Sequence, residues 1–123
     1  MLAKDIMSTN VITMGPKTNV IEAMDILVDN KISGVPVLSE DGAILGLVTE
    51  RDLLISMRFL GDEDPRSVCV EKFMSKDVIT FPEDASIENI VVAMLSKNIK
   101  RVPILKNGRI VGIVSRRDIL KSI

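Results

Sequence analysis

The stretch Gly46-Leu47-Val48-Thr49-Glu50-Arg51-Asp52 returns as Gly112-Ile113-Val114-Ser115-Arg116-Arg117-Asp118, each time a hydrophobic run ending in a hydroxyl residue with a carboxylate three places on. Outward from this pair almost the whole chain repeats. Met7 to Pro36 lines up with Met74 to Pro103 at an offset of 67, and Gly42 to Leu54 with Gly108 to Leu120 at an offset of 66, one residue having dropped from a loop. Met7/Met74, Ser8/Ser75, Val11/Val78, Ile12/Ile79, Thr13/Thr80, Ile32/Ile99, Val35/Val102, Pro36/Pro103, Gly46/Gly112, Val48/Val114, Arg51/Arg117 and Asp52/Asp118 are identical pairs. A unit this short rarely closes a core alone, so two copies are expected to pack about a pseudo-two-fold axis with two equivalent clefts.

Each copy spells strand, helix, strand, strand, helix. Val11-Ile12-Thr13 and Val78-Ile79-Thr80 are β-branched runs that predict short strands. A helix follows, capped by Thr18 or Asn19 in the first copy and by Asp84 or Ser86 in the second, with Val20, Ala23, Met24, Leu27, Val28 and Ile87, Ile90, Val91, Met94, Leu95 at helical spacing. Hairpins are predicted from Val35–Leu38 with Ala43–Val48, and from Val102–Leu105 with Arg109–Val114, because Asp41-Gly42 and Asn107-Gly108 are strong turn signals. Pro36 and Pro103 cannot donate a ladder bond and are expected at an edge or strand start. Thr49 and Ser115 then cap a second helix in each copy. The fold class is α+β, with repeats over residues 1–60 and 68–123 and a polar linker over 61–67.

Composition narrows the function. Sixteen Lys+Arg face 17 Asp+Glu, so no global field points to nucleic acid or a membrane. Histidine is absent and Cys69 is the sole cysteine, which excludes an intramolecular disulfide and leaves too few soft ligands for an ordinary zinc site. Between Val68 and Val70, Cys69 reads as a small core residue. The start, Met1-Leu2-Ala3-Lys4-Asp5, lacks a signal-peptide stretch, and the longest apolar run, Ile90 to Leu95, is far short of the roughly 20 residues of a membrane span. A cytoplasmic location is expected. No catalytic constellation or glycine-rich phosphate loop stands out, so no enzyme activity, cofactor or metal is expected.

The duplicated Thr49/Asp52 and Ser115/Asp118 sets carry the chemistry. By spacing alone, a hydroxyl and a carboxylate three apart at a helix start form a capping arrangement. The functional alternative is that the same groups face a cleft, where a carboxylate accepts from vicinal ribose hydroxyls and amides with a cation suit phosphate.

The repeated Val-Ile-Thr, the Ser33-Gly34-Val35-Pro36-Val37 and Lys100-Arg101-Val102-Pro103-Ile104 segments, and the doubled strand-to-helix motif closely resemble the CBS (cystathionine beta-synthase) domain, here as a tandem pair. The resemblance implies a regulatory module binding an adenosine-containing ligand (AMP, ADP, ATP or S-adenosylmethionine) in clefts between the repeats. It implies Asp52 and Asp118 as ribose acceptors, Thr49 and Ser115 as their hydroxyl partners, and Arg51 and Arg117 as phosphate contacts. Ile12, Thr13, Val35 and Pro36, with Ile79, Thr80, Val102 and Pro103, wall the adenine. Lys100 and Arg101 match the family's phosphate positions, but their counterparts Ser33 and Gly34 carry no charge, so the two sites are chemically unequal. A helix C-terminus would also favour the Lys100-Arg101 charges.

Ligand occupancy is then expected to act on an effector protein through association, and a purely structural oligomerisation module is the competing reading. Nucleic-acid binding is disfavoured, because there is no basic stripe and phenylalanine supplies the only aromatics. Ile21, Ile26 and Val92 broaden the apolar faces of the long helices, and with the family's habit of pairing through them imply a homodimer.

Overall fold

Four of the five α-helices in this chain start on side-chain caps. In the computed structural model, which describes residues 1–123, the Asn19 side chain accepts from the Glu22 N–H and Ser86 from the Asn89 N–H, opening α2 (Val20–Asn30) and α4 (Ile87–Lys97). Of the two cap candidates in each copy, the one nearer the helix is used. Both helices end on a residue in the left-handed conformation, Lys31 at φ 54° and Asn98 at φ 52°. The other helices are α1 (Ala3–Ile6), α3 (Glu50–Phe59) and α5 (Arg116–Lys121). Short 3₁₀ turns at Pro65–Ser67 and Val70–Lys72 complete the helical content.

Strands β1 (Gly34–Leu38) and β2 (Ile44–Thr49) form one antiparallel hairpin, and β4 (Arg101–Lys106) with β5 (Arg109–Ser115) the other. Asn107 and Gly108 both have positive φ, the conformation that a tight two-residue turn demands. The two prolines lie in the middle of β1 and β4, not at their starts, and they decide where the first strand of each copy begins. Met14 pairs with Val37 in the parallel sense, its N–H donating to the Pro36 carbonyl while Leu38 N–H donates to Met14. The next bond of that ladder would run from residue 36 to the Ile12 carbonyl, and proline has no N–H to give. Pairing therefore starts at Met14, not at Val11–Thr13. Pro103 has the same effect, so β3 (Phe81–Pro82) pairs with Ile104 and Leu105 while Val78–Thr80 stay outside any strand.

Two compact units result: a central unit, Ile12–Val78, and a flanking unit, Met1–Val11 with Ile79–Ile123. Each unit takes the leading segment of the other sequence copy. In the central unit, Val20 N–H donates to Val68, Val70 N–H to Thr18, and Ser75 exchanges two 2.9 Å backbone bonds with Leu47. In the flanking unit, Ala3 N–H donates to Ala85, and Ser8 exchanges bonds of 2.9 and 3.0 Å with Ile113. The central core gathers Val20, Leu27, Val35, Val37, Val48, Leu53, Val68 and Val70. The flanking core gathers Ala3, Ile90, Met94, Val102, Ile104 and Val114. Cys69 is half-buried between buried Val68 and Val70, at a one-residue bridge to Asn19. Of the helix residues expected to face outward, Val92 is 64% exposed, whereas Ile21 is half-buried and Ile26 packs against the central core.

The exchange accounts for three of the identical pairs. A Cβ on Gly46 would lie 2.7 Å from Met74 Sδ and 2.8 Å from the Ser75 carbonyl, and one on Gly112 would lie 2.5 Å from Met7 Sδ and 3.0 Å from Met7 Cβ. Glycine is required where the methionine-serine segment crosses the strand. Gly46→Ala is expected to cost about 1–3 kcal/mol of stability, the range for overpacking. Gly112→Ala should cost less, because the three atoms nearest its Cβ all belong to the Met7 side chain, whereas Gly46 also meets the hydrogen-bonded Ser75 carbonyl. Urea denaturation of both variants checks the order, and an equal or reversed loss would contradict it.

Candidate functional site

At one end of each hairpin the chain turns from strand into helix, and the predicted site residues converge there. Gly34 pairs with Thr49 and Arg101 with Ser115 across the hairpins. Glu50 N–H donates to the Ser33 carbonyl and Arg116 N–H to the Lys100 carbonyl, both at 3.0 Å, which ties each helix start to the run-in of the facing strand. The parallel register, continued back from Met14 and Phe81, sets Ile12–Thr13 level with Val35–Pro36 and Ile79–Thr80 level with Val102–Pro103. The backbones of Ile12, Thr13, Ile79 and Thr80 make no hydrogen bond; the Ile12 and Ile79 carbonyls face Pro36 and Pro103 in the register, which have no N–H to donate. Each unit thus brings its whole candidate set to one strand end. The side chains of Val35, Pro36, Val102 and Pro103 are fully buried. Ile12, Ile79 and Thr80 are half-buried and Thr13 is exposed.

Both hydroxyl–carboxylate pairs are capping boxes. Asp52 Oδ2 accepts from the Thr49 N–H at 2.8 Å and the Thr49 hydroxyl at 2.9 Å, and Thr49 Oγ1 accepts from the Asp52 N–H at 3.2 Å. Asp118 Oδ2 accepts from Ser115 N–H at 2.9 Å and its hydroxyl at 3.0 Å, and Ser115 Oγ accepts from Asp118 N–H at 3.1 Å. One carboxylate oxygen therefore fixes the junction. The second differs between copies. Asp52, 9% exposed, also receives the Ser75 hydroxyl, 3.3 Å from Oδ1 and 3.5 Å from Oδ2. Asp118 is half-buried, and its Oδ1 takes no hydrogen bond.

The cations are equally uneven. Arg51, Lys100 and Arg117 are exposed and outside every ion pair of the chain, and Arg101 is half-buried. Arg116, where the first copy has Glu50, reaches back to the end of α4 through Nε to the Ile99 carbonyl (3.1 Å) and its guanidinium to Asn98 Oδ1 (3.5 Å). Sequence reasoning missed Ser75 and the Glu50/Arg116 exchange. The signals were the Ser8/Ser75 identity, whose partner across the fold was not legible, and a charge reversal inside an otherwise matched motif.

The sequence profile of the CBS domain matches residues 3–58 and 70–123. Inosine-5′-monophosphate dehydrogenase of Aquifex aeolicus is 39% identical over 94% of this chain, which spans only 23% of that enzyme. The crystal structure of the CBS domain pair of protein MJ0100, in complex with 5′-methylthioadenosine and S-adenosyl-L-methionine, is 30% identical, with a TM-score of 0.87 over 99% of this chain and 94% of that one. The CBS-domain-containing protein ATU1752 of Agrobacterium tumefaciens is also 30% identical, with a TM-score of 0.88 over 99% and 98% of the two chains.

Loss of either hydroxyl cap, Thr49→Ala or Ser115→Ala, is expected to lower unfolding free energy by about 0.5–2 kcal/mol. Asp52→Ala should cost more than Asp118→Ala, because it is the more buried carboxylate and accepts from Ser75 as well as Thr49. Thermal or urea unfolding of the four variants measures this; equal losses at Asp52 and Asp118 would sink the distinction between them.

Proposed function

The chain belongs to the CBS domain family, and from that premise we propose that it is a regulatory module whose ligand is an adenosine compound and whose output passes to an effector protein. The observation that carries the reading is the doubled junction. Each strand end pairs a carboxylate able to accept from a ribose diol with a stretch of unbonded main chain, Ile12–Thr13 or Ile79–Thr80. The adenine edge offers one donor and one acceptor, which such a main-chain stretch complements without any aromatic stacking. Half-buried Ile12 and Ile79 supply the apolar surface beside that stretch, whereas the fully buried side chains of Val35, Pro36, Val102 and Pro103, expected to wall the adenine, offer none of their own. Thr49 and Ser115 orient the carboxylates. Arg51, Arg117, Lys100 and Arg101 are the phosphate partners, three of them in the flanking unit. The ligands of the MJ0100 domain pair, both built on adenosine, support the choice of ligand class.

No helix is long and apolar enough to cross a membrane, and the proposed setting is the cytoplasm. A homodimer is part of the same reading. Val92 on α4 and Val28 on α2 are 64% and 73% exposed, and Leu95 beside Val92 is 74% exposed, more apolar surface than a helix facing only water needs. Sedimentation at micromolar concentration is expected to give twice the chain mass. A monomer mass with and without nucleotide would reject the dimer.

Calorimetric titration with adenosine, AMP, ADP, ATP and S-adenosylmethionine tests the function. Asp118→Ala is expected to weaken binding by about 1.5–3 kcal/mol, roughly 10- to 150-fold, the range for a hydrogen bond to a charged group. Neutralising Lys100 and Arg101 together should lower affinity for ATP more than for adenosine. Absence of heat with every compound at millimolar concentration would favour the structural-module reading instead.

A further inference from the structure

Ser75 and Ser8 hold equivalent places, each fixed through its own backbone to a strand residue, Leu47 or Ile113. Only Ser75 turns its hydroxyl onto a carboxylate. With Thr49 on Oδ2 and Ser75 at 3.3 Å from Oδ1, both oxygens of Asp52 already have donors within the protein. An incoming diol must displace Ser75 or share its acceptor. Oδ1 of Asp118 faces no such competitor, because Ser8 makes no side-chain bond to it. The charges fall the same way. Around the first junction Ser33, Gly34, Glu50 and Arg51 sum to zero, −1 from Glu50 and +1 from Arg51. Around the second, Lys100, Arg101, Arg116 and Arg117 sum to +4.

We propose that the chain takes one adenosine polyphosphate, in the flanking unit, and that the Ser75 hydroxyl is a latch holding the Asp52 carboxylate of the central unit against a sugar diol. The proposal rests on the adenosine reading above. It adds a specificity-determining residue and a stoichiometry. At 3.3 and 3.5 Å the latch bonds are long, so they set a preference that a substitution can remove. The missing cations explain why opening the latch favours a ligand without phosphates at this second site.

Ser75→Ala keeps the backbone bonds to Leu47 and alters an exposed side chain, so the fold is retained. Titrated with ATP, the unaltered protein should bind one equivalent per chain. With adenosine, Ser75→Ala should strengthen the weaker site by about 2- to 10-fold, the worth of one hydrogen bond, until a second equivalent registers. Ser8→Ala, the matched control, should change neither titration. Two equal ATP sites in the unaltered protein, or weaker adenosine binding in Ser75→Ala, would overturn the latch while leaving the adenosine reading intact. No binding by any of the three proteins would overturn both.

Discussion

The reciprocal bond between a hydroxyl and a carboxylate three residues apart is the constraint from which the rest follows. It ends a strand and starts a helix within one peptide step. In doing so it satisfies amides that would otherwise be orphaned at the helix start. Because the helix must leave the strand at that angle, the facing strand is tied in through Ser33 or Lys100, and the side chains after the cap are aimed at a single strand end. A carboxylate has two oxygens. One is consumed in holding the fold, which leaves the other to act. Stability and the proposed recognition are therefore not rival explanations of Asp118, since they would use different atoms of the same group.

Two steric constraints shape what lies around that carboxylate. The nitrogens of Pro36 and Pro103, which carry no hydrogen, stop the parallel ladder one bond short and leave the Ile12 and Ile79 carbonyls without the donor that a longer strand would have supplied. On the opposite side of each hairpin, Gly46 and Gly112 let a methionine-serine segment lie directly across the strand. That crossing brings Ser75 within reach of Asp52. A residue distant in sequence thus adjusts a carboxylate whose local motif is the same in both copies.

Much of this was legible in the chain itself. Helix starts at Thr49 and Ser115, those at Asn19 and Ser86 as one of two candidates each, and both hairpins follow from local chemistry that a sequence displays. The convergence of Thr49, Asp52 and Ser33, and of Ser115, Asp118 and Lys100, follows from hairpin register. The short first strands were misplaced because β-branched character was weighed without the missing donor of the proline that would face them. The Ser75–Asp52 bond and the exchange of leading segments depend on contacts between parts of the chain far apart in sequence. Internal repetition marks such residues as paired with each other but does not say which strand each one meets.

The central claim is that a carboxylate oxygen left over from a helix cap reads a ribose diol. The most direct measurement is the affinity of the unaltered protein for adenosine against 2′,3′-dideoxyadenosine, which keeps the base and removes both hydroxyls. Binding of adenosine at least about 10-fold tighter, with the difference abolished in Asp118→Ala, is the expected result. Equal affinity for the two nucleosides in the unaltered protein would contradict the account.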